Sequence, residues 1–350
     1  MKNLDLLTES YFYDLDPKFI ADRPVPGRDG SKLLVYKQQT EEVIHTEFSK
    51  LAEFLSPQDL LVLNESKVFP CRLHGKKSSG GNVELFLLSL ISENDHYPAM
   101  IRSNGKKRVG DVYKFGELEV IVEGRSEEGD FYVSFNLDHE NLIDFLNAQA
   151  EIPIPPYIRD GIADARDTED YQTVYAKNIG SVAAPTAGLH FTENVFKQLS
   201  EKGVHKAFVN LHVGAGTFKP VNADNISEHK MHKEYFDISS ENLDLINKYK
   251  QRIAVGTTSL RVLESCFDKD EIKLPENKST EIFLHPGVEV KSISGLLTNF
   301  HLPKSTLLML VSSLLGREKT LELYGEAIKN DYRFFSCLLY TSPSPRDGLL

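Results

Sequence analysis

The chain has 350 residues, 41% hydrophobic and 26% charged, with 22 Gly and 16 Pro, a balance that excludes collagen-like, disulfide-scaffold and disordered classes and leaves room for a large core. The formal net charge of −11 disfavours a protein that coats nucleic acid through a uniformly basic surface. The three cysteines, Cys71, Cys266 and Cys337, stand far apart with no C-x-x-C, which suits reduced thiols and argues against a thiolate zinc site.

No stretch approaches the roughly 18 apolar residues of a membrane span, and the first residues carry no secretory pattern. A cytoplasmic protein away from membranes is expected. Residues 31–36 (SKLLVY) and 59–63 (DLLVL) have the length and apolar content of strands, and residues 48–55 between them space Phe48, Leu51 and Leu55 as a helix does. From about residue 72 to 151 the texture becomes short strand-like segments (VELFLLSL, DVYKF, LEVIV, FYVSF) separated by glycine turns, which predicts a small antiparallel barrel or sandwich. The dense prolines of Ile152-Pro-Ile-Pro-Pro-Tyr157 close that region.

Helices and strands then alternate. The patterns predict a helix over 192–202 with Gly203 behind it, a strand over 205–213, a helix over 239–252 and a strand from Ile253. A helix from Leu260, a strand over 281–284 and a helical half from 305 to 328 complete the series. The expected architecture is α/β, with a main domain (1–70 and 153–336) interrupted by an inserted small antiparallel β domain (71–152).

Three loops rich in glycine and hydroxyls follow apparent strands: APTAGLHF (184–191), HVGAGTF (212–218) and AVGTTSLR (254–261). Such loops bring backbone N–H groups and hydroxyls close to a ligand at the carboxyl ends of strands. None is a P-loop, and Gly214-Ala-Gly216 lacks the third glycine of a dinucleotide fingerprint. Histidines gather beside these loops: His190, His212, His229, His232 and His301. Imidazole titrates nearest neutrality, so proton transfer is the chemistry to expect of them. His229 and His232 alone make half a metal site, so a metal-dependent hydrolase is the less favoured alternative.

The segments after two apolar runs, Asn64-Glu-Ser-Lys and Thr298-Asn-Phe-His, read either as turns and helix caps or, with Arg72, Arg261 and Arg333, as donors for a carboxylate or phosphate. Tyr157, Tyr171 and Tyr175 read as core or as platforms for a base. A basic run between 70 and 115 includes Arg72, His74, Lys76, Lys77, Arg102, Lys106, Lys107, Arg108 and Lys114. It reads as solvated hairpin lysines or as a local RNA patch.

The strings PIPPYIRD, YQTVYA, GSVAAPTAGLHF, NLHVGAGTFKPV, AVGTTSLRVLES, LLTNFHLPKSTLLMLVSSLLG and YRFFS, in this order, resemble the S-adenosylmethionine:tRNA ribosyltransferase-isomerase family of bacterial queuosine biosynthesis, from about Tyr13 to Ser336. The resemblance implies an α/β domain with an inserted β-barrel. It implies S-adenosylmethionine as a consumed substrate, no metal, and tRNA carrying 7-aminomethyl-7-deazaguanine as partner, with no obligate protein partner and a monomeric state. In that light His190 and His301, with His212 third, are the expected proton-transfer groups. Asn64, Arg72, Thr186, Gly188, Gly214, Gly216, Thr217, Thr257, Thr258, Arg261 and Asn299 are expected to position substrate. Lys76, Lys77, Lys106, Lys107 and Arg108 are expected on tRNA phosphates. Residues 337–350 depart from the family's continuation and read as a frameshift, cloning or sequencing artefact to be set aside from the fold. The alternative is accordingly a tRNA-binding protein inactivated by that tail.

Overall fold

The computed structural model describes residues 4–77, 79–92, 94–126, 129–214, 221 and 223–342. β1 (Lys32–Lys37) and β2 (Glu42–Glu47) form a hairpin, so the opening of the chain has one strand more than its sequence pattern suggests. The expected helix follows as a 3-10 segment, Phe48–Phe54, burying Phe48, Leu51 and Ala52. All six residues of β3 (Asp59–Asn64) are buried, as its continuous apolar run requires of a strand covered on both faces.

β4 (Ser66–Val68) leads into the inserted unit. Here β5 (Arg72–Lys77), β6 (Asn82–Leu87), β7 (Tyr97–Ser103), β8 (Val112–Phe115), β9 (Leu118–Arg125) and β10 (Phe131–Phe135) close a six-stranded antiparallel barrel. Alternation sets its inside: along β6, Val83, Leu85 and Leu87 are buried while their neighbours are not. α1 (His139–Gln149), capped by the Asp138 carboxylate on Asn141 N–H, adds Leu142, Phe145 and Leu146 to the barrel core. An antiparallel bridge between Arg72 and Glu151 ties the two ends of the insertion.

The chain returns through the short α2 (Asp167–Asp170) and β11 (Asn178–Ser181), which pairs with β4. Then come α3 (Glu193–Glu201), β12 (His205–Leu211), β13 (Glu234–Asp237), α4 (Ser240–Lys248), β14 (Gln251–Val255) and α5 (Gly256–Cys266). Thr192 and Ser239 cap α3 and α4 through their hydroxyls. α5 starts four residues earlier than its periodicity predicts, because Gly256 takes φ +82° and turns the chain directly out of β14.

Two-residue strands β15 (Phe267–Asp268), β16 (Glu271–Ile272) and β17 (Ser279–Thr280) precede β18 (Gly295–Asn299). Residues 281–284 make no strand; the Ile282 N–H donates to Thr280 Oγ1 at 3.1 Å and turns the chain away from the ladder. The final helical half is split at Gly316, φ +80°, into α6 (Thr306–Leu315) and α7 (Arg317–Lys329).

The last element corrects an expectation. Residues 337–350 read as foreign to the fold, yet Leu338–Ser342 form β19, with Leu338, Leu339, Tyr340 and Thr341 buried. An apolar, β-prone run beside an open sheet edge supplies the missing ladder whatever its origin. β19 lies parallel to β1 and antiparallel to β18 in a nine-stranded sheet ordered β17-β13-β12-β3-β14-β18-β19-β1-β2. Apolar cores pack on both sheet faces. The architecture is therefore α/β with a closed antiparallel β-barrel inserted between β4 and β11.

Candidate active site

The strands β12, β3, β14 and β18 run parallel, and their carboxyl ends meet at one edge, where open α/β sheets bind ligands. That edge presents Val213 and Gly214 after β12, Gly256 to Thr258 after β14, and Asn299 to His301 at the end of β18. The 3-10 segment Thr186–His190 faces them. Thr186, Thr257, Thr258, Asn299 and His301 line one cavity with Tyr157, Tyr171 and Phe335. An adjoining cavity shares Tyr157, Tyr171, Thr186 and Phe335 and adds His190, Arg23, Arg159 and Asp167.

His190 is buried between two hydrogen-bonding elements. The Asn299 amide Nδ2 stands 3.3 Å from His190 Nε2 and also donates to the carbonyls of Phe335, at 3.2 Å, and Cys337, at 3.4 Å. The amide's two N–H groups are shared among these three acceptors; on the other side of the ring, Nδ1 lies 3.4 Å from the Arg28 carbonyl, which can only accept, so Nδ1 carries the proton, 3.1 Å from Ser31 Oγ. Burial lowers the His190 pKa to about 4, with Arg28 and Arg333 adding positive charge. Burial lowers His301 further, to about 3; its Nε2 is 3.1 Å from Thr298 Oγ1. The His301 backbone is clamped by two tyrosines: Tyr13 Oη donates to its carbonyl, and its N–H donates to Tyr324 Oη at 3.2 Å. Both imidazoles are neutral at pH 7 and able to accept a proton.

Phe335, the partner of Asn299, has φ +65°, a left-handed conformation that costs a bulky residue of order 1–3 kcal/mol. Its ring stacks on Tyr157 at 4.1 Å between centroids and 13° between planes. The wall shared by the two cavities is thus a preformed aromatic pair.

The other expected site residues divide. Gly188 lies in the Thr186–His190 segment against Tyr175. Arg261, on α5, forms a buried ion pair with Glu234, whose other oxygen accepts from Gly214 N–H at 3.1 Å. His212 stands with its ring against Gly180 and its pKa lowered by burial, away from both cavities. Asn64 is fully buried and spent on the sheet: it exchanges hydrogen bonds with Leu211 at 3.1 and 3.0 Å and accepts from Ser66 N–H. Arg72 binds the Gly161 carbonyl and, at 2.8 Å, Glu84, which makes it a strut between barrel and main domain. Gly216 and Thr217 lie outside the described residues.

Lys77 donates to the Asn104 carbonyl and Lys107 to the Ser103 carbonyl, while Lys76 pairs across the ladder with Lys114. Lys76, Lys106 and Arg108 are exposed at that end of the barrel. Among the described residues no group of three or more His, Cys, Asp or Glu is placed to hold a metal ion, His229 and His232 included, and no helix is long and apolar enough to cross a membrane.

The family model for queuosine biosynthesis proteins matches residues 8–337. The chain belongs to that family. It is 45% identical over 335 residues to the S-adenosylmethionine:tRNA ribosyltransferase-isomerase of Acetivibrio thermocellus, a match covering 93% of this chain and 96% of the relative. The crystal structure of S-adenosylmethionine tRNA ribosyltransferase from Thermotoga maritima is 31% identical, covers 95% of this chain and 99% of that one, and has a TM-score of 0.52. Queuosine biosynthesis, an enzymatic role and the α/β-plus-barrel fold all follow from this membership. The matched segment stops one residue before β19.

Sequence reasoning missed Ser31, Glu234 and the placement of Phe335. Ser31 and Glu234 gave no signal, because each acts through a partner distant in the chain. For Phe335 the signal was present: the YRFFS string carries part of the resemblance, although nothing in the string itself assigns the ring a role.

Proposed function

We propose that this enzyme transfers and isomerises the ribosyl group of S-adenosylmethionine onto the aminomethyl group of 7-aminomethyl-7-deazaguanine at the tRNA wobble position. Epoxyqueuosine-tRNA forms, and adenine and methionine leave. The observation that carries the reading is the pair of buried, neutral histidines, His190 and His301, at a cavity edge whose chain is 45% identical to an enzyme of that name.

The sulfonium acidifies the ribose 5′-methylene, so a neutral imidazole suffices to take that proton. The imidazolium it becomes is then the acid that protonates departing adenine, which uses one proton for both steps. Their lowered pKa values keep both rings neutral at pH 7 and make the charged form a strong donor. His212, away from the cavities, has no part in this scheme. Thr186, Thr257, Thr258 and Asn299 position the substrate, and the Tyr157–Phe335 pair gives its adenine a flat apolar surface. Lys76, Lys77, Lys106, Lys107 and Arg108 hold tRNA phosphates from the barrel. The protein acts as a cytoplasmic monomer, a state that sedimentation would check.

The test is adenine release from S-adenosylmethionine with tRNA bearing the aminomethyl base and with unmodified tRNA. Release that requires the modified base supports the reading. Binding of tRNA with no release, both in this chain and after residues 337–350 are exchanged for a relative's continuation, would sink it in favour of a binding protein.

A further inference from the structure

Arg261 is a guanidinium with unspent donors. Its side chain is 5% exposed, Nη1 is paired with Glu234, and Nε and Nη2 are buried with no hydrogen-bond partner. Leaving such groups unpaired costs about 1–3 kcal/mol each, which points to an acceptor that arrives with a ligand. A second unspent group lies one turn away on the same helix, the buried Thr258 Oγ1. α5, eleven residues long, begins at Gly256 with no side-chain cap, so its first-turn N–H groups add positive potential there. Gly256, Thr257 and Thr258 line the cavity. So does Val213, whose neighbour Gly214 donates to the Glu234 carboxylate. The ion pair itself lies behind this wall, one helical turn from Thr258 and joined to Gly214 through Glu234.

Resting on the function proposed above, we infer that Arg261, Glu234 and Thr258 form the subsite for the zwitterionic amino-acid end of S-adenosylmethionine. Arg261 and the α5 N-terminus take the α-carboxylate, and Glu234 takes the α-ammonium. Charge selects this occupant. The Arg261–Glu234 pair is neutral in sum, matching a group that carries one charge of each sign, whereas a dianionic phosphate would meet the Glu234 carboxylate at close range.

Calorimetric titration of the full chain without tRNA tests this, using S-adenosylmethionine and its decarboxylated analogue, which keeps the amine and lacks the carboxylate. The parent protein is expected to bind the analogue at least about tenfold more weakly, since hydrogen bonds to charged groups contribute about 1.5–3 kcal/mol. The double variant R261Q/E234Q, which leaves no buried lone charge, should lose that preference. Thr258→Val should weaken S-adenosylmethionine binding about 3- to 10-fold with an unchanged or higher Tm, because it removes an unsatisfied hydroxyl. Equal binding of the two compounds by the parent, or a preference that survives in R261Q/E234Q or in a stably folded Thr258→Val with parental affinity, overturns the subsite and leaves the function standing. No binding of either compound by the parent overturns both.

Discussion

Asn299 holds His190 and the C-terminal segment with a single amide. Its Nδ2 reaches His190 Nε2 at 3.3 Å while also donating to the Phe335 and Cys337 carbonyls. The consequence is that one side chain joins the His190 ring to the backbone on either side of Ser336. Asn299→Asp removes the donor and adds a negative charge beside the imidazole. The expected outcome is a higher His190 pKa, visible as a histidine NMR resonance titrating nearer neutrality, and a kcat about 10²-fold lower. An unmoved resonance would show that His190 does not sense the amide.

His190→Gln and His301→Gln should each lower kcat by about 10²- to 10⁴-fold if the histidines move the proton, measured as adenine release at saturating substrate. His212→Gln should stay within about threefold of the parent, because that ring faces Gly180 rather than either cavity.

The same two histidines make stability depend on pH. Their folded pKa values, about 4 and about 3, lie below the unfolded value near 6.5. The unfolded chain therefore binds more protons below pH 6.5, and stability is lost as pH falls from 6.5 toward 4. Each histidine should contribute a loss on the order of 2 kcal/mol by pH 4.5. Urea midpoints at pH 7 and pH 4.5 should differ less in either His→Gln variant than in the parent.

Neutralising Lys76, Lys77, Lys106, Lys107 and Arg108 together should weaken tRNA binding and reduce its logarithmic salt slope by about 0.7 to 0.9 for each phosphate that is no longer paired with a cation. S-adenosylmethionine affinity without tRNA should not move. Unchanged slopes would place the RNA-binding surface elsewhere.

Leu339→Ala tests the last strand. Leu339 is fully buried between β18 and β1, so truncation should cost about 2–5 kcal/mol, read from the denaturant midpoint. A shift within error would mean that β19 adds nothing to the sheet.

Much of this was legible in the sequence. Period-2 and period-3.6 patterns located β3, β12, β14 and the helices α3, α4 and α6, and glycine turns marked out the barrel, because local apolar spacing decides which face is buried. The loops after β14 and β18 also carried Thr257, Thr258, Asn299 and His301 to one cavity. What escaped depends on the tertiary fold. Asn64 and Arg72 carry donors that suit a ligand, but the fold spends them on Leu211 and Gly161. Glu234 meets Arg261, and Ser31 meets His190, only once distant strands are paired. The strand at Leu338–Ser342 is masked by letters foreign to the family, although its apolar content is what the sheet edge takes.

The strand order has a consequence for synthesis. β1 and β2 touch the rest of the nine-stranded sheet only through β19, the last described strand to leave the ribosome. Until then the inner edges of β1 and β18 are unpaired and open to wrong partners, such as another nascent copy. The barrel, whose strands are contiguous in the chain, can close long before. A growing chain would thus complete its barrel early, while Asn299 beside His190 still lacks the Phe335 and Cys337 carbonyls. The surroundings of His190 are thus assembled after the barrel, from the segment that follows α7.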